Sequence, residues 1–220
     1  MPSFKEHRET LELWQRFPSL EHVEEGRARA VLTFDDGPDP DATPAVLDAL
    51  DAIGARATFF MVGEQLMRHQ DIGREVVARG HEVALHGFGH QPHAELSPQQ
   101  ARDDLARGLG ATEAATGRRP RFYRPPYGRF SEHSYEACRK LDLQPVYWTT
   151  WGQDWDDVSP ERIADLVNRD LSDGTIVLLH DSARYADRES AVPTANALAP
   201  IGERARELGL SLVSLSETAS

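Results

Sequence analysis

The chain has 220 residues, of which 36 are Asp or Glu and 24 are Lys or Arg, so its formal net charge is −12. This length suits one domain with a core of its own. The negative charge argues against nucleic acid, and against an anionic membrane surface, as the main partner, because neither would attract the protein at long range. The single cysteine excludes an intramolecular disulfide bond and a cysteine-built zinc site.

The N-terminal segment is polar and irregular, with a short helix predicted around Leu11–Phe17. It contains no apolar run of signal-peptide length, and no stretch of the chain approaches the roughly 20 apolar residues that span a bilayer. We therefore expect an N-terminal extension over residues 1–28, packed on or preceding a single domain over residues 29–220. The plain expectation is a cytoplasmic protein without a membrane span, although a trimmed exported protein would have the same N-terminus.

Short apolar runs alternate with amphipathic stretches after this extension. The runs are four to six residues long and mostly lack polar alternation, which is typical of parallel strands buried on both faces. Seven strands are predicted in this way: Ala30–Phe34, Ala57–Val62, Glu82–His86, Arg121–Arg124, Gln144–Thr149, Thr175–His180 and Ser211–Leu215.

Helix signals lie between these runs. Thr43 is predicted to cap a helix, Ser97 forms a capping-box pattern with Gln100, and Ser159 precedes a proline at the first helical position. The predicted helices are Ala45–Ile53, Pro98 to about Gly117, Pro160–Asp170 and Pro200–Leu208. The alternation indicates a parallel sheet built from βα units, either an open doubly wound sheet or a closed or nearly closed barrel.

Reactive polar side chains fall at the carboxyl ends of the predicted strands. They are Asp35, Asp36, His86, His90, Arg124, Asp154 and His180. The carboxyl ends of parallel strands form the edge at which α/β barrels and open sheets build their sites. Because scattered surface residues would not segregate in this way, the placement predicts an enzyme.

Two neighbouring carboxylates, Asp35 and Asp36, suggest divided roles in which one binds a cation and the other takes a proton. The alternative is an ordinary Asp-Gly-Pro turn with solvated acids. His86 and His90 are spaced for one metal ion if the segment after the strand turns helically, and a structural pair is the alternative. With one carboxylate they would form a ligand face that leaves positions open for water and substrate.

The segment R-P-P-Y-G places Tyr127 after Arg124 and two prolines. Because prolines restrict the backbone, an N–H such as that of Tyr127 would be held rigidly toward an oxyanion, and an ordinary rigid loop is the alternative. His180 ends a buried strand and is placed to act as a general acid. The tryptophans near Asp154 are candidates for stacking on a sugar ring, with one or two of them serving the core.

Five motifs together resemble the polysaccharide deacetylase family, which is the NodB-homology group or carbohydrate esterase family four. They are V-L-T-F-D-D-G-P, G-H-E-V-A-L-H-G-F-G-H, Y-R-P-P-Y-G, D-W and I-V-L-L-H-D, in the family's order and spacing. The similarity runs from about Ala28 to Leu215, nearly the whole predicted domain. It implies a distorted (β/α)7 barrel of mostly parallel strands, in agreement with the seven predicted strands.

The resemblance also implies roles for individual residues. Asp35 would be the general base, oriented by Arg124, and His180 would protonate the leaving amine. The implied metal ligands are Asp36, His86 and His90, a set that suits one divalent ion, with zinc as the first choice and Co, Ni or Mn as alternatives. The implied substrate contacts are Tyr127, Asp154, Trp155 and Leu178. The amide of Tyr127 would also stabilise the oxyanion, and Leu178 would line the acetyl pocket.

Two positions depart from the family pattern. Gly87 stands where the family usually has a Ser or Thr whose hydroxyl braces the loop after the first metal histidine. The family also usually has an aspartate shortly before the D-W motif, paired to the arginine, and no acid lies three residues before Asp154. Whether Asp154, a nearby aspartate or no such residue pairs with Arg124 is left open.

The expected function is metal-dependent hydrolysis of an N-acetyl group from an amino-sugar carbohydrate, with release of acetate. The partner would be a carbohydrate or glycolipid and not nucleic acid. With a cytoplasmic location, a precursor, a glycolipid head or a small saccharide is favoured over mature peptidoglycan or chitin. The alternatives are an amidase acting on a non-sugar acylated amine, a catalytically silent carbohydrate-binding protein on the same fold, and an iron oxygenase.

Overall fold

The computed structural model describes residues 15–219, so the helix expected around Leu11–Phe17 lies largely outside the described residues. Within residues 15–219, no helix combines the length and the apolar character needed to cross a membrane. The part of the N-terminal segment that is described packs on the domain. Phe17 and Val23 are buried, and the ring of Phe17 lies 5.8 Å from that of Phe130.

Eight strands in the described part of the chain form one sheet, and every pairing in it is parallel. The strands are β1 (Arg29–Asp35), β2 (Ala57–Met61), β3 (Glu82–Leu85), β4 (Phe122–Tyr123), β5 (Gln144–Pro145), β6 (Thr150–Trp151), β7 (Ile176–His180) and β8 (Ser211–Val213). Their order is β5-β4-β3-β2-β1-β7-β6, with β8 paired to β1. The prediction of a mostly parallel sheet is confirmed.

The predicted strand Gln144–Thr149 is wrong in one respect, because only its first two residues form a strand, β5, and the segment then leads into β6 at the opposite edge of the sheet. Val146 N–H donates to the Tyr123 carbonyl, and three residues later Thr149 N–H donates to the Ile176 carbonyl, each at 2.9 Å. The segment therefore crosses from β4 to β7 and bridges the two edges of a curled sheet. Seven strands follow one another across the sheet and β8 pairs with β1 beside them, which agrees with the predicted distorted barrel of mostly parallel strands. Local sequence indicated an extended run but not that its two ends pair with different strands.

Seven α-helices pack around the described part of the sheet. They are α1 (Ala42–Ile53), α2 (Gly63–Arg68), α3 (Gln70–Ala78), α4 (Pro98–Thr116), α5 (Glu132–Lys140), α6 (Pro160–Asp170) and α7 (Val192–Glu207). The capping box of Ser97 and Gln100 at α4 and the Ser159 cap at α6 are confirmed.

Two helix starts differ from the prediction. Helix α1 begins at Ala42 after Asp41, so Thr43 lies inside the helix, where its hydroxyl donates to Asp181 Oδ2 at 2.6 Å instead of capping. Helix α7 begins at Val192 and contains Pro200 in its interior. Proline is also favoured at the first helical position, so local sequence alone placed the start of α7 too late.

The central strands β1, β2 and β7 are buried on both faces, as their unbroken apolar runs predict. Leu32 and Phe34 of β1 belong to an outer core between the sheet and the helices, which includes Leu47 of α1 and Leu198 of α7. Val31 belongs to an inner core rich in aromatic rings. Side chains that alternate between two cores leave the strand's carboxyl end as the place where polar groups reach an opening.

The turn after β1 depends on a close approach between Gly37 and the side chain of Asp181. A Cβ atom at this position would lie 2.2 Å from Oδ2 of Asp181, a buried carboxyl that Thr43 already holds. We expect Gly37→Ala to lower the free energy of unfolding by about 1–3 kcal/mol, because overpacking forces its neighbours to move. Urea unfolding measures this.

Gly110 in α4 provides the matched control, since a Cβ there would meet no atom within 4 Å. Gly110→Ala should be neutral or stabilising by up to about 1 kcal/mol through helix propensity. An equal loss of unfolding free energy in both variants would contradict a close contact between Gly37 and Asp181.

Candidate active site

The carboxyl ends of β1, β3, β4 and β7 meet at one cavity with a volume of about 570 Å³. Register explains the meeting, because Asp35 at the end of β1 is paired with His180 on β7 and with Phe60 on β2. Most of the predicted site residues line this cavity: Asp35, Asp36, His86, His90, Tyr127, Trp155, Leu178 and His180. Arg124 and Asp154 are absent from the lining and lie fully buried behind it.

Asp36, His86 and His90 offer ligand atoms that all lie within 4.8 Å of one another. Oδ1 of Asp36 is 3.4 Å from Nε2 of His86 and 3.1 Å from Nε2 of His90. Two ligands held about 2.1 Å from one zinc ion at a tetrahedral angle are about 3.4 Å apart, so these spacings fit one metal ion. Oδ1 of Asp36 is buried and accepts no well-formed hydrogen bond from the described residues, which leaves it available to a cation.

Charge in this cluster also fits a cation. Burial alone would raise the pKa of the Asp36 carboxyl, but the imidazoles of His86 and His90 hold that pKa well below its usual range. Burial would lower the pKa of His86, and the carboxylates of Asp35 and Asp36 outweigh it and raise that pKa above its ordinary value. The cluster therefore keeps an ionised Asp36 carboxylate beside the His86 imidazole, whose raised pKa favours a bound proton. A divalent cation would compete with that proton, so its binding should tighten as the pH rises.

The two histidines meet by a loop and not by the helical turn that their spacing suggested. Residues 86–90 contain no helix, and Gly87 has a φ of +85°. Residues other than glycine rarely adopt this left-handed backbone conformation. The loop brings His86 and His90 to within 5.3 Å between ring centroids. His93, in contrast, is buried outside the cavity and contacts Asp104 and Tyr123.

Arg124 pairs with Asp35, which answers the question that the sequence left open. Nη1 of Arg124 donates to Oδ1 of Asp35 at 2.7 Å and to the Thr33 hydroxyl at 2.8 Å, while Nη2 donates to the Tyr147 carbonyl at 2.8 Å. Nε of Arg124 is buried without a hydrogen-bond partner among the described residues. The missing acid before the D-W motif is thus not replaced by Asp154, and Asp35 is the one carboxylate within ion-pair distance of Arg124 in the described structure.

Asp154 pairs with His180 instead, and its side chain, predicted to contact substrate, is buried and absent from the cavity lining. Oδ1 of Asp154 lies 2.9 Å from Nδ1 of His180, and its Oδ2 accepts from the His180 backbone N–H at 2.8 Å and from the Thr194 hydroxyl at 2.7 Å. The side chain of Asp154 is fully buried beneath the imidazole, so a ligand in the cavity meets His180 first. Sequence placed both residues at strand ends but did not show that one lies behind the other.

Asp154 also controls the charge of His180. Burial would lower the pKa of the His180 imidazole, but the adjacent Asp154 carboxylate outweighs burial and raises that pKa to about 9. The carboxylates of Asp35 and Asp36 add to this effect, and a cation at Asp36 would weaken their share. A histidine whose pKa is raised stays protonated through neutral pH and loses its proton as the pH rises.

We expect Asp154→Asn to shift the basic limb of the pH–rate profile to lower pH by about one unit or more, because the imidazolium loses its negative partner. Activity should fall as the pH rises through the pKa of His180, and earlier in the variant. The profile of kcat/KM against pH measures the shift. An unchanged basic limb would contradict the assignment of that limb to His180.

Aromatic rings line the rest of the cavity. Tyr127 is 54% exposed and has a φ of +59°, a strained value for a residue other than glycine. Its ring and that of Tyr185 pack on His90, with centroids 4.6 and 4.2 Å away. Tyr185 was missed by the sequence analysis because it lies five residues beyond the end of the predicted strand Thr175–His180 and belongs to no motif. Trp155 lies 5.8 Å from His180 between ring centroids, and Leu178 lines the cavity at a buried position.

Fold and site together define an α/β barrel with a candidate metal centre beside an Asp–Arg pair and a His–Asp pair. The family model described as polysaccharide deacetylase matches residues 22–146. The chain belongs to the polysaccharide deacetylase family, as its motifs predict.

Three proteins illustrate the similarity. A peptidoglycan-N-acetylglucosamine deacetylase of Bacillus cereus is 34% identical over 189 residues, which cover 84% of this chain and 85% of the relative. A chitooligosaccharide deacetylase of Bradyrhizobium is 36% identical over 71% of this chain and 72% of the relative. The crystal structure of a mutant of a carbohydrate esterase family four pseudoenzyme, with restored enzymatic activity, has a TM-score of 0.82 and 25% identity, covering 91% of this chain and 70% of the other. The wild-type pseudoenzyme is from Bacillus anthracis.

Proposed function

We propose that this protein is a metal-dependent deacetylase that removes the N-acetyl group from an N-acetylglucosamine-containing saccharide and releases acetate. One observation carries the proposal: the Asp35–Arg124 pair, the Asp36, His86 and His90 cluster, and His180 with its Asp154 partner meet at a single cavity. The names of the two sequence relatives support an N-acetylated saccharide as the substrate class.

The fold alone does not support activity, because a pseudoenzyme shares it. The proposal depends on the residues at the cavity. A catalytically silent protein of this family would be expected to lack a proton acceptor or a proton donor, and this chain has Asp35 and His180 in place. Active turnover is therefore favoured over carbohydrate binding alone.

Asp36, His86 and His90 would hold the divalent ion. When bound there, the ion would polarise the acetamide carbonyl and lower the pKa of a water molecule. We propose zinc as the native ion, and Co, Ni and Mn also suit a ligand set of two imidazoles and one carboxylate.

Asp35 acts as the general base in this proposal. Arg124 occupies its Oδ1, so its Oδ2 is the oxygen free to accept a proton from the attacking water. Nη1 of Arg124 also donates to the Thr33 hydroxyl and Nη2 donates to the Tyr147 carbonyl, and these bonds keep the Arg124–Asp35 pair in one orientation. A fixed base within reach of its proton contributes a factor of about 10² to 10⁴ in rate.

His180 acts as the general acid. Its Nδ1 is engaged by Asp154, so Nε2 carries the proton for the leaving amine nitrogen. The raised pKa of His180 keeps that proton available at neutral pH. Tyr127 supplies a backbone N–H to the developing oxyanion, and Leu178 packs against the acetyl methyl group. Trp155 offers a ring face to the sugar.

The test is an acetate-release assay on chitooligosaccharides, peptidoglycan fragments and an N-acetylglucosamine glycolipid, with and without a chelator. We expect chelator-sensitive acetate from at least one of these substrates, and recovery of activity when zinc is added back. Parallel additions of Co, Ni and Mn rank the metals. Acetate from a non-sugar acylated amine alone would replace the proposal with an amidase, and binding of saccharide without acetate release would indicate a silent protein.

A further inference from the structure

The metal-binding loop, residues 86–90, is fastened from outside the cavity by helix α4. Oδ2 of Asp104 accepts a hydrogen bond from the backbone N–H of Phe88 at 3.0 Å, and Oδ1 accepts from that of Gly89 at 2.9 Å. One carboxylate therefore binds two successive amides between the two histidines. Both bonds have a charged acceptor, which makes them stronger than neutral ones.

The opposite side of the loop is held by the start of helix α2. The backbone N–H groups of Gly63 and Glu64 donate to the carbonyls of Gly87 and Phe88, each at 2.9 Å. Arg107, one turn after Asp104 in α4, stacks 3.8 Å above the ring of Phe88. The loop backbone thus has contacts on both sides, and Asp104 provides the only carboxylate among those contacts in the described residues.

Asp104 is itself held in a buried chain of polar groups. Its Oδ2 lies 3.2 Å from Nε2 of His93, and Nδ1 of His93 lies 2.8 Å from the hydroxyl of Tyr123. His93 and Tyr123 have no exposed surface. A carboxylate at a helix surface does not need such support, and two buried side chains that orient it indicate that its position matters.

His90 needs an external support more than His86 does. Nδ1 of His86 is bonded to the Arg124 carbonyl at 2.8 Å, whereas Nδ1 of His90 is buried without a hydrogen-bond partner among the described residues. Metal-binding histidines usually have their second ring nitrogen fixed by such a bond. The orientation of His90 therefore depends on its backbone, which the loop sets, and on the rings of Tyr127 and Tyr185.

We propose that Asp104 is a positioning residue for the metal centre, which places His90 by binding the backbone of residues 88 and 89. It provides from helix α4 the brace that a hydroxyl at position 87 would otherwise supply. A side chain at position 87 would disturb this contact, because a Cβ atom on Gly87 would lie 2.8 Å from Oδ2 of Asp104. This inference rests on the proposed metal binding by Asp36, His86 and His90.

The test compares metal affinity in full-length wild-type protein and in Asp104→Asn and Asp104→Ala after chelator treatment. Titration with Co²⁺, followed by its absorption spectrum, and competition with zinc give the dissociation constants. We expect Asp104→Ala to raise the metal Kd about 10- to 100-fold, as loss of a supporting contact around a metal ligand does. The Kd of Asp104→Asn should lie between those of the wild type and Asp104→Ala, because the Asn side chain keeps one acceptor oxygen. Activity lost at low metal should return at excess metal.

Asp103→Asn is the matched control, since Asp103 is the preceding residue of α4 and accepts only from exposed Gln99 among the described residues. Its Kd should equal that of the wild type. Tyr123→Phe removes only the hydroxyl at the end of the chain behind Asp104, and should raise the Kd by a smaller factor, so it tests the inference if the Asp104 variants fail to fold.

The outcomes separate this inference from the proposed function. If the wild type binds metal and both Asp104 variants bind it equally tightly with unchanged Co²⁺ spectra, the positioning role is overturned and the proposed function stands. If the wild type binds no metal, the proposed function fails and the positioning role fails with it. If the Asp104 variants do not fold and Tyr123→Phe binds metal as the wild type does, the positioning role is also overturned.

Discussion

Asp35→Asn is expected to lower kcat by a factor of about 10² to 10⁴ and to leave metal binding intact. The amide cannot accept the proton of the attacking water, but its oxygen can still accept from Arg124, which lies 2.7 Å from Oδ1 in the native protein. Asp36 and its two histidines are unchanged. Steady-state acetate release measures the loss, and metal content after dialysis measures the retention.

Asp39→Asn is the control for this variant, because Asp39 belongs to the same acidic segment but is absent from the cavity lining. Its activity should stay near that of the wild type. Thermal unfolding of both variants reports whether the buried Arg124 has been destabilised by the loss of its ion pair, an effect that removing one partner of a buried pair can cause. If the Asp35→Asn enzyme remained active, the assignment of Asp35 as the general base would be wrong.

His180→Gln is expected to lower the rate of amide hydrolysis by at least about 10² and to affect an activated acetyl ester far less. An amine must be protonated before it leaves, whereas a nitrophenolate leaves without a proton. Asp35→Asn should slow both reactions, since both need an activated water. Comparing the two variants on an N-acetylated saccharide and on nitrophenyl acetate therefore assigns the donor and the acceptor separately. Equal loss on both substrates for His180→Gln would show that His180 acts before the leaving group departs.

These two variants test a division of charge that the structure shows directly. The proposed base, Asp35, is paired with the cation Arg124, and the proposed acid, His180, is paired with the anion Asp154. Each pair is buried, so its charges are weakly screened by solvent. A cation therefore lies beside the proposed proton acceptor, and an anion lies beside the proposed proton donor, within one cavity.

Much of the site could be predicted from the sequence. Unbroken apolar runs identified the parallel strands, and in a parallel sheet the carboxyl ends of the strands lie at one edge. This is why Asp35, His86 and His180, which are far apart in the chain, were expected together. The motifs added the candidate metal ligands and the family, and the family is confirmed.

The contacts behind the cavity could not be predicted in the same way. Whether Arg124 binds Asp35 or Asp154 depends on the register of β1, β4 and β7 and on side-chain conformations, none of which is encoded in local spacing. The same holds for the segment from β5 to β6, because local sequence does not specify which strands its two ends pair with.

The sequence alone predicted the type of site. Its single cysteine excluded a thiolate site, and its strand-end motifs indicated an aspartate–histidine site. The tertiary structure decided the partners: Arg124 for Asp35, Asp154 for His180, and Asp104 for the loop that carries His90. Local patterns determine strands and helices through period and capping. Partners from separate elements meet only when packing sets the distances between those elements, and that is a property of the whole fold.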